Sequence, residues 1–302
     1  MDRRRPLLLN LDAELELARP RSYRPSAAVT ERVRVEAAHL AAILPATLLP
    51  LIPGAEPPRL EGLGEASAWC PTPSALASLA ALGFEPPAAP SMAILRRANS
   101  RSFLSRIETQ GEPLPESTWA SSPSAVHAHL RAHPHVAQWL AKREFGGAGR
   151  GRRRLRQALA ATDLRWIEGA FVRGQGDDLR RQLRIEPQVE VALEWTRHGL
   201  LRPSGELRLG EPCVQVSDPR GAWSHTRLAR PGELEPDELA ALDAALRAAA
   251  AALVDLGYFG PLGVDGFRWI DTDGCRRVRA VGELHARYTT GWWLGTASWR
   301  DQ

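Results

Sequence analysis

The one lysine of this 302-residue chain lies directly before a glycine-rich loop. Lys142 is followed by Gly146, Gly147, Gly149 and Gly151, and every other residue among the 39 lysines and arginines is arginine. In a chain whose other basic residues are all arginine, a lysine here suggests a role that needs a compact ammonium group and that a planar guanidinium cannot fill. Glycines let a backbone close over an anion and aim its N–H groups at phosphate oxygens. Together these features predict phosphate binding.

The same loop has two other interpretations. It lacks the GK[ST] of a Walker A loop and the strand, glycine and helix order of a dinucleotide-binding fingerprint. One alternative is a flexible basic loop. The other is a nucleic-acid surface, whose affinity would fall steeply with added salt. Its basic residues are Arg150, Arg152, Arg153, Arg154 and Arg156.

A second group of reactive side chains lies near the C-terminal end. Glu283, His285 and Arg287 alternate along a predicted strand and therefore share one face. Asp265 lies on the preceding strand, across a turn near residues 271–274, so it is expected beside Glu283. Neighbouring carboxylates repel unless a cation lies between them, and oxygen ligands suit Mg²⁺ that bridges nucleotide phosphates. The alternative is a cross-strand salt-bridge ladder on a solvated face.

The elements that must hold these groups begin with a small α/β layer. Apolar runs at 6–12 and 48–53 predict buried strands, and helices are predicted at 28–43 and 72–83. The first strand ends in polar residues, as strands do where an α/β sheet opens onto a ligand. These polar residues are Asn10 and Asp12, which we expect near an acceptor substrate.

The rest of the chain predicts a mixed α+β structure. The predicted helices lie at 97–111, 122–133, 153–161 and 235–256. The predicted strands and hairpins lie at 136–145, 163–170, 184–199, 206–216, 258–271 and 276–287. A glycine- and aspartate-rich segment at 173–178 is expected to be mobile.

Taken in order, these motifs resemble the ATP-grasp superfamily over roughly residues 97–291. Lys142 resembles the lysine that reaches nucleotide phosphates from the strand before the glycine-rich lid. Arg101, in NSRSF, lies where such proteins often carry an earlier phosphate-binding lysine. The lid glycines that the resemblance assigns to the nucleotide are Gly146, Gly147 and Gly149.

RIEPQV resembles the hinge between the two lobes of that superfamily. The resemblance implies that Glu186 and the backbone near Val189 hold the adenine of ATP. It also implies that Glu194, eight positions after Glu186, reaches the ribose hydroxyls.

GYFGPLGVDGF and GELHARYTTG resemble the metal-binding end of the same fold. The resemblance implies that Asp265 and Glu283 ligate Mg²⁺, with Mn²⁺ as an alternative, and that Arg287 faces substrate or phosphate. The usual Glu-x-Asn pattern is replaced here by Glu283-Leu284-His285. Imidazole ligates divalent metals but suits Mg²⁺ less well than an amide oxygen. We therefore expect His285 either to ligate the metal or to contact a phosphate. The third possibility is that the second metal of the usual site is missing.

The resemblance implies an ATP-grasp fold, in which two α+β lobes hold ATP, preceded by a small α/β domain. The expected limits are 1–95 for the preceding domain, 96–185 for the N-lobe with its lid, and 186–302 for the C-lobe with its metal site. The implied reaction activates a small-molecule carboxylate as an acylphosphate and joins it to an amine, converting ATP to ADP and phosphate. Lys142 and Arg287 are the implied catalytic residues. The alternative is a non-catalytic nucleotide-binding or sensor protein, which the altered Glu-x-His site favours.

Composition narrows the remaining possibilities. A net charge of +4 suits a protein that handles anions and does not by itself indicate nucleic-acid binding. Cys70, Cys213 and Cys275 form no CxxC pair, which excludes a zinc ribbon or disulfide framework and favours a reducing, cytoplasmic compartment. Acidic residues interrupt the N-terminal apolar stretch, and no stretch is long enough to span a bilayer, so we expect neither a signal peptide nor a membrane partner.

Four histidines in the predicted helix at 122–133 and directly after it invite a metal-site interpretation. Their spacings, with Pro134 before the last, do not build one helical face, so exposed histidines at a helix end are the expectation. These residues are His127, His129, His133 and His135.

Overall fold

The structure is a computed structural model that describes residues 4–19, 21, 23–55, 65–107, 114–147, 149–172, 181–217 and 223–301. The strands within these ranges form three sheets, of three, four and five strands. This mixed α/β and α+β architecture is the predicted fold class. Over the same ranges, no helix combines the length and the apolar character that a membrane span needs.

The N-terminal part is an α/β layer, as its alternating pattern predicts. Strand β1 (Arg5–Leu8) lies between β2 (Leu48–Leu51) and β3 (Ser67–Ala68), and both neighbours run parallel to it. Leu7 is fully buried because both faces of the central strand are covered. The helices of this layer are α1 (Ala13–Ala18), α2 (Ala27–Ala41) and α3 (Pro73–Ala81).

A short helical region connects this layer to the rest of the chain. The helix α4 (Met92–Ala98) ends at Asn99, and a 3₁₀ helix (Arg101–Arg106) follows it. The prediction of one continuous helix over 97–111 is therefore wrong, because two short helices occupy the described part of this range. The predicted end near Gly111 lies outside the described residues. Arg101 begins the 3₁₀ helix because its backbone N–H donates to the carbonyl oxygen of Glu144, 2.9 Å away.

The four-stranded sheet is antiparallel throughout, in the order β4-β7-β5-β6. Trp139, Leu155 and Ile167 are fully buried in the core between this sheet and its helices. The strands are β4 (Thr118–Ala120), β5 (Gln138–Arg143), β6 (Arg152–Arg156) and β7 (Leu183–Pro187). The helices are α5 (Pro123–Ala132) and α6 (Ala161–Phe171).

Two predictions in this region are wrong. The predicted helix at 153–161 starts instead as strand β6, since its arginines alternate with buried Leu155 along an edge paired to β5. The predicted strand at 163–170 is helix α6, because Asp163 accepts a hydrogen bond from the backbone N–H of Ala160 and caps the first turn. The segment at 173–178 lies outside the described residues.

The five-stranded sheet is also antiparallel, in the order β10-β9-β8-β11-β12. The predicted hairpin at 206–216 is wrong, because these residues form one long strand that pairs with β8. The strands are β8 (Glu190–Leu201), β9 (Leu207–Ser217), β10 (Trp223–Leu228), β11 (Gly260–Ile270) and β12 (Arg276–His285).

One long helix covers this sheet, as predicted. The helix α7 (Pro236–Leu256) begins with proline in its first turn and ends at Gly257, whose φ of 82° lies in the left-handed region that glycine tolerates. Leu242, Leu246 and Leu253 on its inner face are fully buried. The chain then ends in helix α8 (Trp292–Gly295) and a 3₁₀ helix (Ala297–Asp301).

A bulge in the β11–β12 hairpin brings the two predicted carboxylates into register. Asp265 pairs directly with Glu283, whereas Phe267 pairs with Arg279, so β12 carries extra residues between these pairs. Gly266 makes this possible, because a Cβ atom there would lie 2.6 Å from the indole nitrogen of Trp195. The sequence-based placement of Asp265 beside Glu283 is confirmed.

We predict that Gly266→Ala lowers the free energy of unfolding by about 1–3 kcal/mol, because the new Cβ overpacks the bulge. Gly169→Ala is the matched control. Its Cβ would meet only Nη2 of Arg143, at an ordinary contact distance of 3.4 Å, and alanine favours a helix over glycine by about 0.5–1 kcal/mol. Urea unfolding followed by circular dichroism measures both. Equal effects of the two substitutions would contradict the crowding at the bulge.

Candidate functional site

Charged side chains from both larger sheets and from the 3₁₀ helix meet in one buried cluster. Lys142 Nζ lies 2.9 Å from Glu186 Oε2 on the neighbouring strand β7 and 3.9 Å from Glu283 Oε1 on β12. The guanidinium of Arg101 lies 3.3 Å from that same Glu283 oxygen. Cations and anions therefore alternate, and Lys142 and Arg101 share one carboxylate oxygen. We call these four residues the cleft cluster.

The carboxylate of Glu186 is the most enclosed part of the cleft cluster. Besides Lys142, it contacts Arg279 of β12 at 2.8 Å and Arg184 of its own strand at 3.2 Å. Burial opposes ionisation of Glu186, but the charges of Lys142, Arg279 and Arg184 outweigh it and lower the pKa to about 2. Glu186 is therefore ionised at neutral pH, and its oxygens are already engaged by cations.

The predicted metal-binding residues form an acidic group next to the cleft cluster. His285 Nε2 lies 2.9 Å from Asp265 Oδ2, within hydrogen-bonding distance. Burial opposes ionisation of Asp265, but the charge of His285 and hydrogen bonds with neighbouring side chains outweigh it and lower its pKa. Glu194, on the adjacent strand β8, has a raised pKa because it is buried and because Asp265 and Glu283 are both negative.

This donor set fits a hard divalent cation. Asp265 and Glu283 are paired across two strands, and the charge of Asp265 raises the pKa of Glu283, although nearby cations lower it overall. A cation between the carboxylates would remove that repulsion, and their oxygens are the ligands that Mg²⁺ prefers. His285 adds one nitrogen donor. Arg101 and Lys142 occupy the other side of Glu283, so a metal ion would share that carboxylate with them.

The glycine loop is folded back tightly between β5 and β6. The backbone N–H of Arg143 donates to the carbonyl oxygen of Gly151, 2.7 Å away, and a Cβ at Gly146 would lie 2.3 Å from the Arg150 carbonyl oxygen. Only glycine fits there. Arg101 donates to the carbonyl oxygens of Arg143 at 2.5 Å and Gly146 at 3.0 Å. Arg101 therefore joins the loop to the cleft cluster.

The N-terminal layer holds the loop from the other side. Arg150 forms two hydrogen bonds with Glu36 of α2, at 2.7 and 3.3 Å. A Cβ at Gly147 would lie 3.4 Å from the Glu14 side chain and 3.6 Å from Arg287. Arg287 itself contacts Glu14 Oε1 through both Nε and Nη2, at 3.1 and 3.0 Å. Arg287 thus lies beside the loop, bound to a carboxylate of the N-terminal layer.

The other predicted residues are more dispersed. Val189 lies in the short connection between β7 and β8, and Gly149 lies at the tip of the loop with a φ of 76°. Asn10 forms hydrogen bonds with the backbone of Cys70 at 2.8 and 3.2 Å, which ties β1 to the segment after β3. Asp12 accepts a hydrogen bond from Tyr23 at 2.5 Å. Contact of these two with a substrate stays a prediction.

Several residues of the site escape sequence-based reasoning. The strongest omission is Glu14, because nothing in its own segment of the sequence points to its distant partner Arg287. Glu144 is buried, and its carboxylate accepts from the backbone N–H of Ser102 at 3.0 Å. Burial of Glu144 raises its pKa. The remaining omissions are the cations around Glu186, which are Arg184 and Arg279.

Searches with protein-family profiles and among curated proteins find no match to this sequence. Among solved structures, D-cycloserine synthetase superposes with a TM-score of 0.53 at 16% identity, covering 97% of this chain and 94% of that one. This chain has the ATP-grasp fold. An N5-carboxyaminoimidazole ribonucleotide synthetase solved with ADP reaches 0.50 at 15% identity, covering 95% and 71%. D-alanyl-alanine synthetase A from Vibrio cholerae reaches 0.50 at 11% identity, covering 94% and 89%.

We predict that Glu186→Gln lowers the free energy of unfolding at pH 7 by about 3–5 kcal/mol, because it removes the buried anion that three cations contact. Glu190→Gln, which alters an exposed carboxylate on the next strand, is the control. Urea unfolding at pH 7 measures both. The folded form lowers the pKa of Glu186, so its contribution is full above about pH 4.5 and is lost toward pH 2. Equal stability of the two variants would contradict the charge arrangement.

Proposed function

We propose that this chain is an ATP-dependent carboxylate–amine ligase. The ATP-grasp fold supports the proposal, and the cleft cluster is the observation that carries it. In the proposed reaction, the γ-phosphoryl group of ATP passes to a substrate carboxylate, and ADP leaves. An amine then attacks the acylphosphate carbon, forms an amide bond and displaces phosphate. These bond changes need no oxidant or reductant.

In this proposal the cleft cluster serves as the phosphate site. Lys142 and Arg101 approach one oxygen of Glu283, at 3.9 and 3.3 Å, so one phosphate group placed there can contact both cations. Their charges stabilise the negative charge that develops as the phosphoryl group moves. Glu186 holds Lys142 in position at 2.9 Å. Arg287 is the proposed second catalytic cation, once it exchanges Glu14 for a substrate carboxylate or phosphate.

The metal-binding residues in this proposal are Asp265, Glu283 and His285. Mg²⁺ held there would neutralise phosphate charge during transfer. The hinge around Val189 would contact the adenine, and Glu194 would contact the ribose. Because cations engage the Glu186 carboxylate, Glu186 would contact the adenine through its backbone in β7.

Nucleotide entry requires the glycine loop to move. The cleft beside the loop has a volume of only about 10 Å³, room for about one water molecule, whereas a usual ligand pocket has roughly 300–1,000 Å³. Arg101, Gly146 and Glu144 line it together with Glu283 and His285. Loop opening would widen this space, and closure over the phosphates would exclude water that hydrolyses an acylphosphate.

The proposed domains are 1–95, 96–185 and 186–302. Strand β7 of the four-stranded sheet continues to Pro187, so the sheet itself extends two residues past the proposed limit. Cys70, Cys213 and Cys275 are unpaired thiols, and we keep the cytoplasm as the proposed compartment.

The second candidate is a nucleotide-binding protein without turnover. Two observations favour it: His285 replaces the usual amide and contacts Asp265, and Glu14 occupies Arg287. Production of ADP on addition of carboxylate and amine pools separates the candidates. The nucleic-acid interpretation of the arginine run is weaker, since Arg150 and Arg153 contact carboxylates of Glu36 and Asp163.

We predict that Lys142→Ala reduces ADP release by at least about 100-fold, a typical loss for one transition-state charge contact. Arg153→Ala is the control, because Arg153 contacts Asp163 on the outer side of the same sheet. A coupled assay with amino-acid and small-peptide pools measures ADP. Equal effects of the two substitutions would exclude Lys142 as the phosphate-binding lysine.

We predict that His285→Asn keeps or raises Mg²⁺-dependent ADP release, because an amide oxygen suits Mg²⁺ better than imidazole. Asp265→Asn, which removes a charged ligand, should abolish the Mg²⁺-dependent release of ADP. The same assay, run across a range of Mg²⁺ concentrations, checks both variants. Complete loss of activity in His285→Asn at every concentration would show that the imidazole has a chemical role of its own.

A further inference from the structure

A group of ligand-type side chains lies at the opposite end of the four-stranded sheet from the cleft cluster. His133 and His135 precede β5, whose far end carries Lys142. Glu116 lies in the turn before β4. One side-chain ligand atom from each of these three residues lies within 4.8 Å of the other two. We call this group the histidine site.

The distances within the histidine site are close to those of a metal complex. Glu116 Oε1 lies 2.5 Å from His135 Nε2 and 3.7 Å from His133 Nδ1. Ligand atoms around a tetrahedral Zn²⁺, with bonds of about 2.0–2.1 Å, are roughly 3.3 Å apart. A rotation that moves the His135 ring by about 1 Å would bring the distance between Glu116 Oε1 and His135 Nε2 to this spacing. The His135 side chain is 64% exposed and is therefore able to move.

The backbone holds two of the ligands in unusual but defined conformations. Glu116 has a φ of 58°, and it is the one non-glycine residue with positive φ in the part of the chain that the structure describes. Such a conformation is uncommon for glutamate and often marks a functional position. His133 is the C-terminal cap of α5, and Pro134 restricts the backbone between the two histidines.

A further imidazole lies beside the site. The ring centroid of His129 is 4.6 Å from that of His133, and both rings pack against Trp139. Its Nε2 is buried and has no hydrogen-bond partner among the described residues. An unpartnered buried nitrogen is costly without a ligand.

We propose that Glu116, His133 and His135 form a binding site for a divalent transition metal of the Zn²⁺ class. Two imidazoles and one carboxylate select zinc, nickel or copper over magnesium. The sequence-based expectation of exposed histidines at a helix end considered α5 alone. The turn at Pro134 and the approach of Glu116 from before β4 supply the missing geometry. This proposal is independent of the ligase proposal, since the two sites share no residue.

Bound metal would cross-link the turn before β4 to the connection between α5 and β5. These segments are 17 to 19 residues apart in the chain, and the link would lie wholly within the four-stranded part of the molecule. Because the metal binds the folded form, it would raise the thermal midpoint with increasing metal concentration. The open coordination position would face solvent on the exposed side of His135.

The test is a zinc titration of the untagged full-length chain by calorimetry. A Cys275→Ser background removes the exposed thiol, and Mg²⁺ in excess occupies hard oxygen sites. The variants are His135→Ala and Glu116→Gln, and the control is His225→Ala, which removes an exposed histidine on β10. Circular dichroism verifies folding of each variant. Quenching of tryptophan fluorescence by Cu²⁺ is a second readout, since Trp139 lies 6.0 Å from the His133 ring.

The parent and the His225→Ala control should bind one more molar equivalent of Zn²⁺ than His135→Ala and Glu116→Gln. Added Zn²⁺ should raise the thermal midpoint of the parent and of His225→Ala. It should raise the midpoints of His135→Ala and Glu116→Gln by less. Cu²⁺ quenching should weaken in parallel. Identical stoichiometry, midpoint shift and quenching in all four proteins would overturn the proposal. Should Glu116→Gln fail to fold, the exposed His135→Ala still decides the outcome.

Discussion

The carboxylate of Glu186 remains ionised inside the protein because cations enclose it. Lys142 and Arg184 come from its own four-stranded sheet, whereas Arg279 comes from the five-stranded sheet. The same charge pairs that neutralise Glu186 therefore join two sheets that otherwise have separate cores. Removing one member would leave unpaired buried charge, which costs more than the ion pair contributes.

The enclosure of Glu186 by cations also bears on which carboxylate of the proposed phosphate site would give up its cations. Lys142 is shared between Glu186 and Glu283, and Glu283 is shared between Lys142 and Arg101. In the proposed phosphate site, Lys142 and Arg101 would exchange the half-buried Glu283 for a phosphate, whereas the enclosed Glu186 would keep its cations. The N-terminal layer completes the arrangement, because Glu14 and Glu36 form ion pairs with Arg287 and Arg150 beside the glycine loop.

Local patterns in the sequence predict the parts of the site that lie on one element or on one hairpin. The alternation of Glu283 and His285, and the turn after Asp265, place these residues correctly. Contacts between distant elements leave no such pattern, so the partners of Glu186 and Arg287 emerge only from the fold. Arginine-rich β6 was predicted as a helix because its alternating exposure depends on pairing with β5. The proximity of His133 and His135 to Glu116 leaves no local pattern for a related reason, since Glu116 approaches them from another element.

Calorimetric titration of ATP into the purified chain, with and without Mg²⁺, tests the central claim most directly. The proposed phosphate site predicts saturable binding of one ATP per chain in the presence of Mg²⁺. It also predicts that Glu283→Gln weakens this binding, because the variant loses the carboxylate shared by metal and cations. Absence of heat at any Mg²⁺ or Mn²⁺ concentration, in a chain whose folding is verified, would contradict the claim that the cleft cluster binds nucleotide phosphates.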